Sequence, residues 1–318
     1  IEQITSGAFP QLYLPSVVEC DANMLQDIDR NVKSVLSRLG SYQLSDGAFA
    51  YWSGNTSGSE WGTVYATHFL IEAAKHGYGV DRAMLDRALK YLRGNPSDYY
   101  LTQAYTQYVL ALNGTPTRGA MNQLREKAAS LRSDVKWLLA AAYALDGNRK
   151  VAEELISLCG DNAGKANPYD GTYNSDERRM SISLMTLTIL GRREEAFRTA
   201  LKMSDILKKD RWLSTQSTAW MLSTLSNFAV AGQNGIDATA GRELVKTDKS
   251  IASMPLAAPT EVRNNGSGSL YAVVSQSYTP GKGEETEAAN GIRIDVRYTN
   301  MDGEAIDPAP TRVSTDFF

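Results

Sequence analysis

Apolar residues return at three- and four-residue steps along most of this chain as far as residue 231, and that period commits it to helices packed on helices. Residues 21–39 are the clearest case. Leu25, Ile28, Val32, Val35, Leu36 and Leu39 form one stripe, with Asp21 placed to cap its start and Gly40 to stop it. The same spacing predicts helices over residues 61–75, 82–92, 101–112, 119–131, 135–145, 151–158, 177–190, 194–207 and 215–229, with a short one within 2–13. Asn113-Gly114, Asp146-Gly147 and Leu190-Gly191 punctuate them as left-handed C-caps. Helices of this length joined by short loops stack as antiparallel hairpins, about eleven to twelve helices in all. An open solenoid would repeat its anchor residues at a constant interval, and no such interval is found. A closed α/α toroid tolerates unequal pairs.

Near Gly232 the helical period stops. Residues 270–276 are β-rich, and Ile292, Ile294, Val296 and Tyr298 alternate with Arg293, Asp295, Arg297 and Thr299, the pattern of a strand with one buried face. Asn264-Asn265-Gly266-Ser267-Gly268 and Met301-Asp302-Gly303-Glu304 are turn signals. The chain is therefore read as mainly α over residues 1–232, with a partial antiparallel β tail over 233–318. Unpaired strand edges make that tail an expected region of weak order.

Composition narrows function by exclusion. A net charge of −3 with 22% charged residues gives no basic footprint for nucleic acid. The apolar runs are too short to cross a bilayer, and no signal-like segment opens the chain. Two histidines and two scattered cysteines, Cys20 and Cys159, have no zinc spacing and read as buried thiols rather than a disulfide framework. No nucleophile elbow, phosphate loop or dinucleotide fingerprint occurs, so no metal or cofactor is expected. Asp46, Glu60, Asp170 and Asp176 fall in loops or helix starts, as solvated loop residues do. As a pair of glycosidase acids they would have to stand about 5 to 9.5 Å apart.

Three blocks carry more information. Glu2-Gln3-Ile4-Thr5-Ser6-Gly7-Ala8-Phe9-Pro10-Gln11-Leu12-Tyr13-Leu14 resembles the segment just after the thioester cysteine of bacterial α2-macroglobulins. Asp46-Gly47-Ala48-Phe49-Ala50-Tyr51-Trp52, followed by Glu60-Trp61, is similar to the next part of that family's thioester domain, and Trp212-Leu213-Ser214-Thr215-Gln216-Ser217-Thr218-Ala219-Trp220 to a signature near its end. The order matches as well as the residues.

The resemblance implies an α/α-toroid thioester domain over 1–232. Over 233–318 it implies the return of a CUB-like β module and the start of a terminal macroglobulin-type sandwich. It also implies a segment of a longer, non-enzymatic protease inhibitor of the periplasm or cell envelope, anchored by lipid, whose partners are target proteases. In that protein a cysteine directly before Ile1 would condense with the Gln3 amide, making Gln3 the acyl donor to a protease lysine. Glu2 would lie inside the ring without chemistry of its own. A thioester must be kept from water, so Phe9, Tyr13, Tyr51, Trp52, Trp61, Tyr65 and His68 are expected to line its pocket. His68 and His76 miss the position from which some family members direct transfer to hydroxyls, which favours direct attack by amines; His68 reads as structural and His76 as a helix C-terminal cation. Two other readings stay open, a carbohydrate-active enzyme on the same toroid and a thiol-less, non-covalent binding module.

Overall fold

The computed structural model describes residues 1–160, 171–209, 212–231, 235–247, 251–256, 259–266, 270, 272–274 and 295–307. It divides into two compact units, Ile1–Leu270 and Tyr271–Phe318. In the first, twelve α-helices precede a small sheet: α1 Glu2–Ala8, α2 Leu14–Val17, α3 Ala22–Leu39, α4 Glu60–Lys75, α5 Arg82–Gly94, α6 Tyr100–Leu112, α7 Arg118–Glu126, α8 Ser133–Leu145, α9 Arg149–Ser157, α10 Asp176–Ile189, α11 Arg193–Leu207 and α12 Thr215–Ala231. Single 3-10 turns follow α1, at Phe9–Leu12, and α7, at Ala128–Ser130.

Neighbouring contacts run α4 to α6, α6 to α8, α8 to α10, α10 to α12, α12 to α1 and α1 back to α4, which closes a ring. Outside it α3, α5, α7, α9 and α11 each pack on a ring helix. The chain therefore forms the expected α/α toroid. Amphipathicity sorts helices into these layers. Helix α5 buries only Met84, Leu85, Ala88, Leu89 and Leu92, a single stripe. Helix α4 instead buries every residue from Trp61 to Ala73, as a helix walled on all sides must.

The chain's own caps fix the helix ends. Asp21 accepts from Met24 N at 2.7 Å, Ser59 from Gly62 N at 3.1 Å and Ser175 from Arg178 N at 3.0 Å. Gly114, Gly147 and Gly191 have φ of 75°, 82° and 65°, the left-handed stops expected from sequence. Gly40 ends α3 differently, at φ −57°. The helix predicted over 119–131 breaks at Lys127, whose ψ of 3° turns the chain from α7 into the 3-10 turn.

The Asp46-Gly47-Ala48-Phe49 block is a tight turn locked to α4. Asp46 Oδ1 accepts from Ala48 N at 3.0 Å, and Phe49 N donates to Thr63 Oγ1 at 2.8 Å. Gly47 holds φ +99°, and a Cβ there would stand 2.3 Å from the Arg87 carbonyl oxygen. Gly47→Ala is thus expected to lower unfolding free energy by at least about 2 kcal/mol, from left-handed strain plus a clash with backbone that has little room to yield. Urea denaturation checks this, and a neutral result would show the turn to be soft.

After α12, β1 Ile236–Ala240, β2 Glu243–Thr247 and β3 Val262–Asn264 form an antiparallel sheet in the order β2-β1-β3. Ala238 pairs with Val245 on one side and Asn264 on the other. The sheet lies upstream of the strongest strand signals. In the second unit Val273, Val274, Val296 and Tyr298 are exposed, so the described part of the alternating run has no buried face; Ile292 and Ile294 lie outside the described residues. The predicted turn at Met301–Gly303 is present, closed by Asn300 Oδ1 accepting from Asp302 N and Glu304 N at 3.1 and 2.8 Å.

Candidate functional site

The opening residues are built into the toroid. Ile1 N donates to the Tyr51 carbonyl at 2.7 Å, and the Ile1 side chain occupies the space that a Cβ on Gly62 would need. Glu2 is buried, its Oε1 accepting from Ser6 Oγ at 2.7 Å and Thr215 Oγ1 at 3.2 Å. Ser6 in turn meets Tyr65 Oη at 3.1 Å. A 100° step per residue then turns the next side chain outward, and Gln3 is exposed on the first turn of α1. The Thr215 bond ties the opening block directly to the Ser214-Thr215-Gln216-Ser217 signature, more than two hundred residues away in sequence.

Beneath this face sits Arg178, fully buried. Its guanidinium lies 4.5 Å from the Trp61 ring centroid and donates to Gln216 Oε1 at 2.7 Å, Thr172 Oγ1 at 2.9 Å and the Thr172 carbonyl. Sequence reasoning missed this residue. A signal existed: an arginine in the first turn of α10 opposes the helix dipole, so its placement needs another reason. Tyr173 was also missed. It holds φ 54°, stacks on Tyr51 with centroids 6.4 Å apart, and shares a hydroxyl–hydroxyl hydrogen bond with it.

The residues expected to line one pocket divide between two ends of the ring. Trp61 is buried against Arg178 and Tyr105, Tyr51 is half-buried beside Ile1, and Trp52 is 61% exposed. These three stand at the end where α4, α10 and α12 begin. Phe9, Tyr13, Tyr65 and His68 instead line a cavity of about 430 Å³, together with Glu72, Tyr108, Leu112, Leu145, Ile189 and Asn227. The later turns of α4, α6, α8, α10 and α12 all reach this cavity, so the ring helices run parallel and the cavity marks their C-terminal end. Gln3 is not among its lining residues.

His68 lies in an aromatic cage, edge-on to Phe9 at 4.8 Å and Tyr108 at 5.3 Å, with Nδ1 bonded to Tyr105 Oη at 2.8 Å. Burial pulls its imidazole down to about 4. Burial acts upward on Glu72, but His68, Lys75 and the Tyr13 hydroxyl outweigh it and hold that carboxyl below its ordinary range. Lys75 Nζ stands 2.9 Å from Glu72 Oε1, and Tyr13 Oη donates to Oε2 at 2.8 Å. His76 forms the C-cap of α4, its ring Nδ1 2.9 Å from the Glu72 carbonyl.

Glu72 is the one carboxylate lining this cavity. Asp46 serves its turn, Glu60 accepts from Ser97 Oγ at 2.5 Å and Asp176 pairs with Arg179, while Asp170 lies outside the described residues. Among the described residues no second carboxylate joins Glu72 in this lining. Cys20 and Cys159 are free thiols of intermediate exposure, less buried than expected; burial pushes Cys159 up to about 11. Among the described residues no group of three or more metal-ligating side chains forms, and no helix is long and apolar enough to cross a membrane.

The geometry defines an α/α-toroid domain whose opening segment is anchored to its last ring helix. Over 96% of its length the chain is 25% identical to an alpha-2-macroglobulin of Escherichia coli (strain K12), and also to a homolog from Yersinia pestis. A 211-residue stretch is 29% identical to an alpha-2-macroglobulin of Xylella fastidiosa. Among solved structures, Salmonella alpha-2-macroglobulin reacted with methylamine superposes with a TM-score of 0.61 at 25% identity, covering 83% of this chain and 18% of that one. Native Escherichia coli alpha-2-macroglobulin, from domain MG7 to the C-terminus, shares the fold with a TM-score of 0.61, covering 78% of this chain and 43% of that one. No protein-family model matches. The chain is thus similar, over most of its length, to bacterial alpha-2-macroglobulins. It spans 20% and 17% of the length of the first two relatives.

Proposed function

We propose that this chain is the thioester-bearing domain of a protease-trapping protein, with residues 233–318 belonging to the β modules that follow it. The observation that carries this is the arrangement around Gln3. Glu2 is pinned inward, Ile1 N is fixed to Tyr51, and Gln3, two residues after Ile1, is exposed on the first turn of α1. In the longer protein a cysteine directly before Ile1 condenses with the Gln3 carboxamide, releasing ammonia and forming a C–S bond. After a protease cleaves elsewhere and the protein rearranges, a protease lysine attacks the Gln3 carbonyl carbon. The C–S bond breaks, the thiolate leaves and takes up a proton, and an isopeptide bond remains. Gln3, exposed in this chain, is covered from water by other parts of the longer protein until the rearrangement opens it to an amine, and the cage around His68 keeps that imidazole from transfer chemistry.

Similarity to a Salmonella protein that has been reacted with methylamine supports amine reactivity, and similarity to Escherichia coli proteins activated by elastase and trypsin supports proteases as partners. The periplasm is the proposed location. Intact-mass measurement of the longer protein tests the chemistry: the native form should be lighter than its sequence by one ammonia, methylamine should add its own mass, and Gln3→Ala should abolish both. A native mass equal to that of the sequence sinks the thioester reading.

A further inference from the structure

The central cavity stands at the opposite end of the ring from Gln3, and nothing in the capture chemistry uses it. Its walls are aromatic, formed by Phe9, Tyr13, Tyr65, Tyr108 and Trp220. Its full charges cancel, because Lys75 and Glu72 pair at 2.9 Å. Several polar groups in the lining have no partner among the described residues, Trp220 Nε1 being one. His68 spends Nδ1 on Tyr105 and has no partner for Nε2 among the described residues, and the Tyr108 hydroxyl has none there either. Both side chains are more than nine-tenths buried, and their rings meet edge-on 5.3 Å apart. Each group, a neutral imidazole and a phenol, can donate or accept. A volume of about 430 Å³ with apolar walls and a few convergent polar atoms matches the sites that hold small molecules.

We propose that this cavity binds a small neutral aromatic molecule bearing one hydroxyl group, with the ring among the aromatic walls and the hydroxyl on His68 and Tyr108. Charge balance selects the class. A carboxylate would bring a second negative charge beside Glu72, and an organic cation would compete with Lys75 in a site with no further carboxylate in its lining. A neutral ring carries neither penalty, and its hydroxyl satisfies two buried groups at once.

Calorimetric titration of this chain with p-cresol tests the proposal. Saturable binding in the millimolar range or tighter is expected. Ser223→Leu, which places a larger side chain in the cavity, should weaken it about tenfold or more while leaving the melting temperature no lower than wild type. Tyr108→Phe should weaken p-cresol by roughly tenfold but leave toluene unaffected. Absence of saturable binding would overturn the proposal. So would unchanged affinity in both variants, or benzylamine or benzoate binding as tightly as p-cresol.

Discussion

Arg178→Ala is expected to destabilise the toroid by roughly 3 to 4 kcal/mol, among the largest effects of any single substitution here. The substitution removes the donor from three buried acceptors, Gln216 Oε1, Thr172 Oγ1 and the Thr172 carbonyl, and strips the cation from the face of Trp61. Each buried acceptor left unmade costs about 1 to 3 kcal/mol, offset in part because the cost of burying the charge also disappears. Arg178→Lys should recover little, since a point charge cannot reproduce the planar fork. Urea denaturation at constant slope reads the effect. A loss within about 0.5 kcal/mol, the range of ordinary surface substitutions, would show that the network contributes little. Because the same network borders Glu2 through Thr215 and Gln216, the variant should also slow the amine capture proposed for Gln3 in the longer protein.

The second large effect depends on pH. His68 is faced by Tyr105 and Tyr108 from α6, Phe9 from the turn after α1, Trp220 from α12, and Glu72 and Lys75 on its own helix. Its imidazole titrates at about 4 in the folded chain against 6.5 unfolded. Below 6.5 the unfolded chain binds the proton that the folded chain refuses, so stability falls as pH drops through this window. The shift corresponds to about 3 kcal/mol, complete near pH 4. Surrounding carboxylates titrate in the same range, so the measurement is the difference in unfolding free energy between wild type and His68→Gln at each pH. That difference should change with pH between 6.5 and 4 and level off outside it. A flat difference would mean that His68 takes up its proton as readily in the folded chain as in the unfolded one.

The helices were legible because the apolar period repeats within each of the longer ones, and some carry their own boundary chemistry. Asp21, read as a cap from sequence, and Ser59 and Ser175, which were not, all cap through bonds that span three residues, and such signals do not depend on the rest of the fold. The pocket was less legible. Trp61 and His68 lie near one another in sequence, but a helix rises about 1.5 Å per residue, so they are about 10 Å apart along α4 and serve different ends of the ring. Arg178 was invisible for a related reason. Its partners come from Trp61, Thr172 and Gln216, three separated segments that only ring closure brings together.

By itself the sequence determined the helical period, the Asp21 cap, the glycine stops and the blocks that resemble the alpha-2-macroglobulins, since all of these are written in residues a few positions apart. The tertiary structure decided that Glu2 turns in and Gln3 out, that the aromatic residues serve two ends, and that a neutral histidine lies in a cavity. Those outcomes depend on α1 being closed between α12 and α4, a contact between the two ends of the helical region that no local pattern encodes.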